Sequence, residues 1–283
     1  MSIFLNLKNI YRQITIRASH GSLYVLRGFL LAVVWQIYKR TIGLPVKIRT
    51  YKGTYFLLRP NCVTSSRFIY EGRPDELYVN ILAKFADEET MFIDVGGNVG
   101  LYTVLLCRDF SHGWLFEPNP VAARMAIDNI SLNNANGRFH VIESAIGAED
   151  GTALFPILDK PLATARVGDK KNDGMNKVKI IRLDHFLPKN KYFVVKVDTE
   201  GFDAHVIEGL QNYLSIGKVK VLLFESLTGE ICYKIKALLN RYNYNYLMMD
   251  GKIQVQPGKG SNNNYSQNLF IVRKDLIDFY LYD

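Results

Sequence analysis

From Met91 to Phe224 the chain repeats one pattern: a short apolar run, a turn rich in Gly, Pro or acidic residues, then a stretch with helical spacing. Met91–Val95, Trp114–Phe116, Phe139–Ile142, Tyr192–Val197 and Val219–Phe224 read as buried strands. Val99–Phe110, Pro120–Leu132 and Phe202–Leu214 read as the helices between them, and Pro120 suits a first helical turn. A further helix is expected over Gly229–Tyr242, with Tyr246–Met249 and Asn268–Val272 as closing strands. Strands alternating with helices predict an α/β fold: a Rossmann-like, doubly wound, mainly parallel seven-stranded sheet. Gly258–Asn264 is the expected flexible loop, and the stretch Pro156–Lys191 reads as a long loop ahead of the fourth strand.

The N-terminal part follows a different pattern. Leu23–Tyr38 is the most apolar early stretch, flanked by Arg12, Arg17, Lys39 and Arg40. A membrane span needs about 20 predominantly apolar residues, and Arg27 interrupts this one. The stretch also lies far from Met1 and lacks a small-residue cleavage site, unlike a signal peptide. Two readings remain: a helix packed on the main domain, or a helix lying in a membrane interface with its basic flanks near anionic head groups. Val46–Tyr51 and Tyr55–Leu58 then form a hairpin through Lys52-Gly53-Thr54, and Arg73-Pro74-Asp75-Glu76 opens a helix running to about Phe85. The expected organisation is an N-terminal helical extension over residues 1–45 and a catalytic domain over 46–283.

Composition adds less than patterning. With 283 residues, 48% hydrophobic and 22% charged, the chain is an ordinary globular mix, which excludes disordered, collagen-like and coiled-coil classes. Cys62, Cys107 and Cys232 are too few for a disulfide framework and form no CxxC zinc motif, so a reducing, cytoplasmic setting is expected. The formal net charge of +8 favours anionic partners.

The strand ends carry the chemistry. In doubly wound sheets, ligands bind beyond the carboxyl ends of the strands. The first strand leads into Asp94-Val95-Gly96-Gly97-Asn98-Val99-Gly100, a loop of residues that accept left-handed geometry and let a ligand approach the backbone. The second strand ends at Glu117-Pro118-Asn119, and an acid there can accept hydrogen bonds from ribose hydroxyls. Both a nicotinamide dinucleotide and S-adenosylmethionine carry such a ribose. Asp94 would repel a pyrophosphate but suits a cationic amino group, which favours S-adenosylmethionine. The YxxxK spacing of Tyr192 and Lys196 falls on a strand, not on the helix where dehydrogenases use it, and is coincidental.

Strand four ends in Lys196-Val197-Asp198-Thr199-Glu200-Gly201, and strand five in Phe224-Glu225-Ser226. Alternation puts Lys196 and Asp198 on one side. Asp198, Glu200 and Glu225 are therefore expected to converge on the crevice. One of them can serve as general base toward a hydroxyl, and together they are candidates to hold Mg²⁺ or another divalent cation. His205 is an alternative base.

FIDVGGNVG (92–100), FEPNP (116–120), SAIG (144–147), VKVDTEGFDAHVIEGL (195–210) and LLFE (222–225) together resemble the FkbM-type methyltransferases, over roughly Phe68 to Val272. The resemblance implies a class I methyltransferase fold and S-adenosylmethionine-dependent O-methylation of sugar or natural-product hydroxyls. It further implies that Asp94, Gly96, Asn98 and Gly100 cradle the methionine part, that Glu117 and Asn119 lie at the ribose, and that Ser144 and Ala145 border the adenine. Asp203 stands where the family usually has Glu.

The basic stretch Pro156–Lys191 borders the expected crevice and suits an acceptor bearing phosphate or carboxylate. A glycan hydroxyl is therefore the expected acceptor. RNA ribose methylation is the rival, although no NPPY or DPPY tetrapeptide and no separate RNA-binding module occurs. A non-catalytic binding module is a third reading, and it would leave the strand-end carboxylates without a purpose. DNA is not an expected partner. Peripheral contact with the inner face of a membrane through residues 23–38 would fit the charge.

Overall fold

The computed structural model describes residues 22–156, 175–199, 201–226, 235, 241–249, 253–255 and 267–277. The main body of the chain is built on an eight-stranded sheet. In chain order its strands are β3 (Thr90–Val95), β4 (His112–Phe116), β5 (Phe139–Ile142), β9 (Tyr192–Val197), β10 (Val219–Ser226), β11 (Tyr244–Met249), β12 (Ile253–Val255) and β13 (Gln267–Arg273). They are arranged as β12-β11-β13-β10-β9-β3-β4-β5. The five strands from β10 to β5 pair in parallel, while β13 runs antiparallel to both β10 and β11. The seven expected strands are all present, and β12 adds a short antiparallel strand at the edge.

Alternation along these strands feeds two cores. On one face Phe92, Val194, Val221, Leu223, Phe270 and Val272 join a cluster with the helices α3 (Glu76–Lys84), α4 (Leu101–Leu106) and α5 (Pro120–Ser131). On the other, Ile93, Val95, Val195, Val197, Leu222 and Phe224 pack against α6 (Leu183–Phe186), α7 (Asp203–Glu208) and α8 (Gln211–Ser215). Both faces are covered, which is why these strands read as continuous apolar runs.

Two elements correct the expectations from sequence. The single helix expected over Phe202–Leu214 is two short ones, α7 and α8. Asp184 of α6 provides the reason: its carboxylate accepts from the N–H groups of Asn212 and Tyr213, satisfying the exposed donors of a fresh helix start. The expected loop Pro156–Lys191 also contains regular structure. Gly151–Pro156 (β7) and Met175–Ile181 (β8) pair antiparallel, and β8 pairs in parallel with Ala145–Ile146 (β6), giving a separate three-stranded sheet. Residues 157–174, with Lys160, Arg166, Lys170 and Lys171, lie outside the described residues, as do most of Gly229–Tyr242 and all of Gly258–Asn264.

Ahead of the sheet, Ser22–Thr41 forms a helix, α1, followed by the hairpin β1 (Val46–Arg49) and β2 (Tyr55–Leu58) and by α2 (Val63–Tyr70). Sequence reading missed α2, whose buried face includes Ser65 and Ser66 and so lacks a clean apolar stripe. Helix α1 packs on α2: Trp35 Nε1 donates to Ser66 Oγ at 3.0 Å, Gln36 Nε2 donates to Tyr70 OH at 2.6 Å, and Ala32 and Trp35 enter the larger core.

Candidate functional site at the strand ends

The candidate site is built by three neighbouring strand ends, β4, β3 and β9. The turn after β3 is held from below, because the N–H groups of Gly96 and Gly97 both donate to Phe116 O at the end of β4. Gly96 has φ +69°, and a Cβ there would lie 2.0 Å from the Asp198 carbonyl oxygen. A Cβ on Gly97 would lie 2.3 Å from Leu115 Cγ. No other residue type lets the backbone pass at these two points. Asn98 adopts φ +48°, one of three described non-Gly residues in the left-handed region. Gly100 then caps α4 from the same region.

Glu117 closes this loop. Its Oε2 accepts from Asn98 N and its Oε1 from Asn119 N, both at 2.9 Å. Burial pushes its carboxyl up to about 7, against the two backbone N–H donors, which favour the charged form. A carboxylate has about four lone-pair positions, so two remain for a ligand's hydroxyls. The side-chain oxygen of Asn119 is committed elsewhere: Oδ1 caps α5, accepting from Val121 N at 2.9 Å and Ala122 N at 3.4 Å. Pro118 between them is half-buried.

Below the loop's entry, Asp94 and Lys196 are register partners on β3 and β9. Asp94 is fully buried, and its Oδ2 accepts from Thr103 N at 3.2 Å and Thr103 Oγ1 at 2.8 Å. Burial pushes its carboxyl up, and the nearby Lys196 ammonium opposes this. Burial alone would lower Lys196, but Asp198 and Asp94 outweigh it and hold the ammonium above its ordinary value. The Lys196 Nζ lies 3.2 Å from Asp198 Oδ2, 3.7 Å from Asp94 Oδ1 and 5.1 Å from the centre of the Tyr102 ring. Asp198 differs from the other two acids of the crevice: its side chain is 40% exposed.

Three buried polar atoms around this crevice have no hydrogen-bond partner: Asp94 Oδ1, Asn98 Oδ1 and Ser144 Oγ. Ser144 follows β5, and Ala145 begins β6. Unsatisfied buried polar atoms are costly and rare, and two of these three belong to β3 and the turn that follows it.

Residues 94–246 match the methyltransferase FkbM domain. That stretch is more than half of the chain and contains every strand end just described. The chain belongs to the FkbM methyltransferase family. It is 26% identical over 145 residues to the hexuronic acid methyltransferase AglP of Haloferax volcanii, covering 50% of this chain and 59% of that protein. It is also 26% identical over 157 residues to methyltransferase 1 of Beauveria bassiana, covering 46% of this chain and 62% of that protein. Among solved structures, an rRNA methylase from Streptococcus thermophilus superimposes with a TM-score of 0.42 at 13% identity, over 71% of this chain and 96% of that one.

In this FkbM methyltransferase the residues expected at the cofactor from sequence fall on β3 and the turn after it, at the end of β4 and just after β5, with Glu117 bonded to Asn98 of the turn and Asp94 paired with Lys196. The expected convergence of three carboxylates is described only at Asp198: Glu200 and the side chain of Glu225 lie outside the described residues. The backbone of Glu225 sits near the end of β10, paired with Asn268. Among the described residues no group of three His, Cys, Asp or Glu is placed to hold a metal ion. His205 is exposed and stacks on Phe202, with ring centres 4.2 Å apart. Of the basic residues expected to line an acceptor loop, Arg182 instead ties the fold together, through Ala148 O, Glu149 and Asp184.

Sequence reading missed Thr103, Tyr102 and the pair Thr199–Asp203. Asp203 Oδ1 accepts from both Thr199 N at 3.0 Å and Thr199 Oγ1 at 2.7 Å, which locks the turn between β9 and α7. The signal for Thr103 was present: it is the one polar side chain in the apolar run Leu101–Leu106.

Proposed function

We propose that this methyltransferase uses S-adenosylmethionine and methylates a sugar hydroxyl, with a hexuronic acid-type sugar as the acceptor class. The residues fit the cofactor. Gly96 and Gly97 let the turn pass close against Asp198 and Leu115, and Asp94 Oδ1 and Ser144 Oγ, buried without a hydrogen-bond partner, are an acceptor and a hydroxyl that a ligand's amino group and base would satisfy. Asp94, Gly96, Gly97, Asn98 and Gly100 would hold the amino-acid end, Glu117, Pro118 and Asn119 the ribose, and Ser144 and Ala145 the base. When bound, S-adenosylmethionine supplies a methyl group on a positively charged sulfur.

The protein's own part is alignment and proton removal. The observation that carries this reading is the contrast between the three strand-end acids. Asp94 and Glu117 are buried, whereas Asp198 opens toward solvent beside Lys196. Among the described strand-end acids Asp198 is therefore the one that an acceptor hydroxyl can reach, and it takes the hydroxyl proton as general base. Lys196 fixes the Asp198 carboxylate through the 3.2 Å contact and offsets the buried charge of Asp94. The locked Thr199–Asp203 turn holds the backbone that carries Asp198. The acceptor class is supported by the 26% identity to a hexuronic acid methyltransferase.

The direct test is transfer of a labelled methyl group from S-adenosylmethionine to hexuronic acid-containing oligosaccharides, with neutral oligosaccharides and total RNA in parallel. Label on the acidic sugar, lost in Asp198→Asn, is the expected result. Label on RNA alone would overturn the acceptor class and leave the cofactor reading intact.

A further inference from the structure

Helix α1 has two apolar faces and uses one. Ala32 and Trp35 are buried against the domain. Leu26, Leu30, Val33, Val34 and Ile37 follow one another at helical spacing along the other side and are all exposed, Leu30 by 62% and Val34 by 61%. The apolar surface continues past the helix end in Ile42 (58%) and Leu44 (63%). A contiguous stripe of this kind marks an interaction surface rather than scattered surface apolarity.

Charge decides what covers it. The first 70 residues contain eleven Lys and Arg and no Asp or Glu. The remaining 213 residues contain 24 Lys and Arg against all 27 acids, so the whole positive excess of the protein lies in this N-terminal part. Arg27 and Arg40, both exposed, bracket the stripe near its two ends, and Lys47 and Arg49 project from the adjoining β1. A partner helix or a second copy of this chain would need an apolar groove but gives no reason for the absence of every acid. An anionic bilayer surface needs both features.

We infer that α1 docks the enzyme on an anionic membrane surface, lying in the interface with Leu26, Leu30, Val33, Val34 and Ile37 toward the acyl chains and its arginines at the head groups. No described helix is long and apolar enough to cross a membrane. The buried Trp35–Ser66 bond and the partly buried Gln36–Tyr70 bond keep α1 attached to the catalytic domain while its outer face engages lipid. The active site would thereby work at the surface where a lipid-linked anionic glycan is presented. The membrane contact itself does not depend on the proposed acceptor.

The full chain should co-sediment with vesicles of phosphatidylcholine mixed with phosphatidylglycerol, and much less with phosphatidylcholine alone. Binding should weaken as salt is raised. Leu30→Glu/Val34→Glu should lose vesicle binding while keeping the wild-type melting temperature, because both side chains point away from the core. Arg27→Glu/Arg40→Glu should weaken binding by roughly tenfold or more, since each basic residue near such a surface contributes on the order of 1 kcal/mol. Three outcomes would overturn the inference: no pelleting with mixed vesicles, pelleting unchanged by Leu30→Glu/Val34→Glu, or a lipid-free dimer that this double variant converts to monomer.

Discussion

Asp94 and Lys196 face each other as register partners on neighbouring parallel strands, with 3.7 Å between Asp94 Oδ1 and Lys196 Nζ. Both groups of the pair are buried. Lys196→Met removes the cation and leaves the acid without its nearest compensating charge, a loss of about 3 kcal/mol for a broken buried pair. The variant's stability should also acquire a new pH dependence. With Lys196 gone, the folded carboxyl of Asp94 moves further above its unfolded value, so the folded state holds a proton that the unfolded state releases. Stability should then fall as pH rises from the ordinary carboxylate range toward neutrality. Melting temperatures of Lys196→Met at pH 5 and pH 8, set against wild type, measure this. A flat difference would contradict it.

Glu117 carries a second pH prediction. Burial holds its carboxyl near 7 in the free protein, against 4.5 ordinarily, while ribose hydroxyls favour the ionised form. S-adenosylmethionine affinity should therefore rise between pH 6 and pH 8, with protons released on binding. Calorimetry in buffers of different ionisation enthalpy counts those protons. In Glu117→Gln the count should drop to near zero.

The approach of Gly96 to the Asp198 carbonyl leaves no room for a side chain. Gly96→Ala must move either the glycine loop or the strand end that carries Asp198. We expect a loss of at least about tenfold in cofactor affinity, with a stability cost of roughly 1–3 kcal/mol for a residue forced into a sparsely populated backbone region. Gly137→Ala, where a Cβ meets nothing within 4 Å, is the control and should bind normally.

The Thr199–Asp203 lock makes a separable prediction. Asp203→Ala leaves the Thr199 N–H and hydroxyl without their acceptor, at about 1.5–3 kcal/mol for hydrogen bonds to a charged group. If the lock positions Asp198, kcat should fall while cofactor affinity stays close to wild type. Asp203→Glu, the residue usual in the family, should restore kcat more fully than Asp203→Asn.

Much of this site could be read from the chain because its key groups are set by local rules. The glycine loop, Glu117 and the run Lys196–Asp198 each follow a buried strand, and strand ends are where such sheets bind ligands. Other parts depend on partners far away in sequence. Thr103 supports Asp94 only because α4 returns over β3, and Asp184 splits the helix after Phe202 from a segment some twenty-eight residues upstream of Asn212. Strand β8 was hidden by its charges. Lys177 and Lys179 alternate with the buried Val178 and the half-buried Ile180, a period of two, yet their charge suggests a loop. The carboxylates likewise divide by burial, which sequence does not reveal: Asp198 is accessible, whereas Asp94 and Glu117 are not.

The proposed cofactor site lies at the ends of β3, β4 and β9, with Glu117 holding the ribose of S-adenosylmethionine. Calorimetric titration of wild type and Glu117→Ala tests it most directly, with the melting temperature of each recorded alongside. Wild type should bind with one site, and Glu117→Ala, still folded, should lose affinity by at least about a hundredfold, as expected for removing hydrogen bonds to a charged acceptor. Equal affinity in the two proteins would contradict the account.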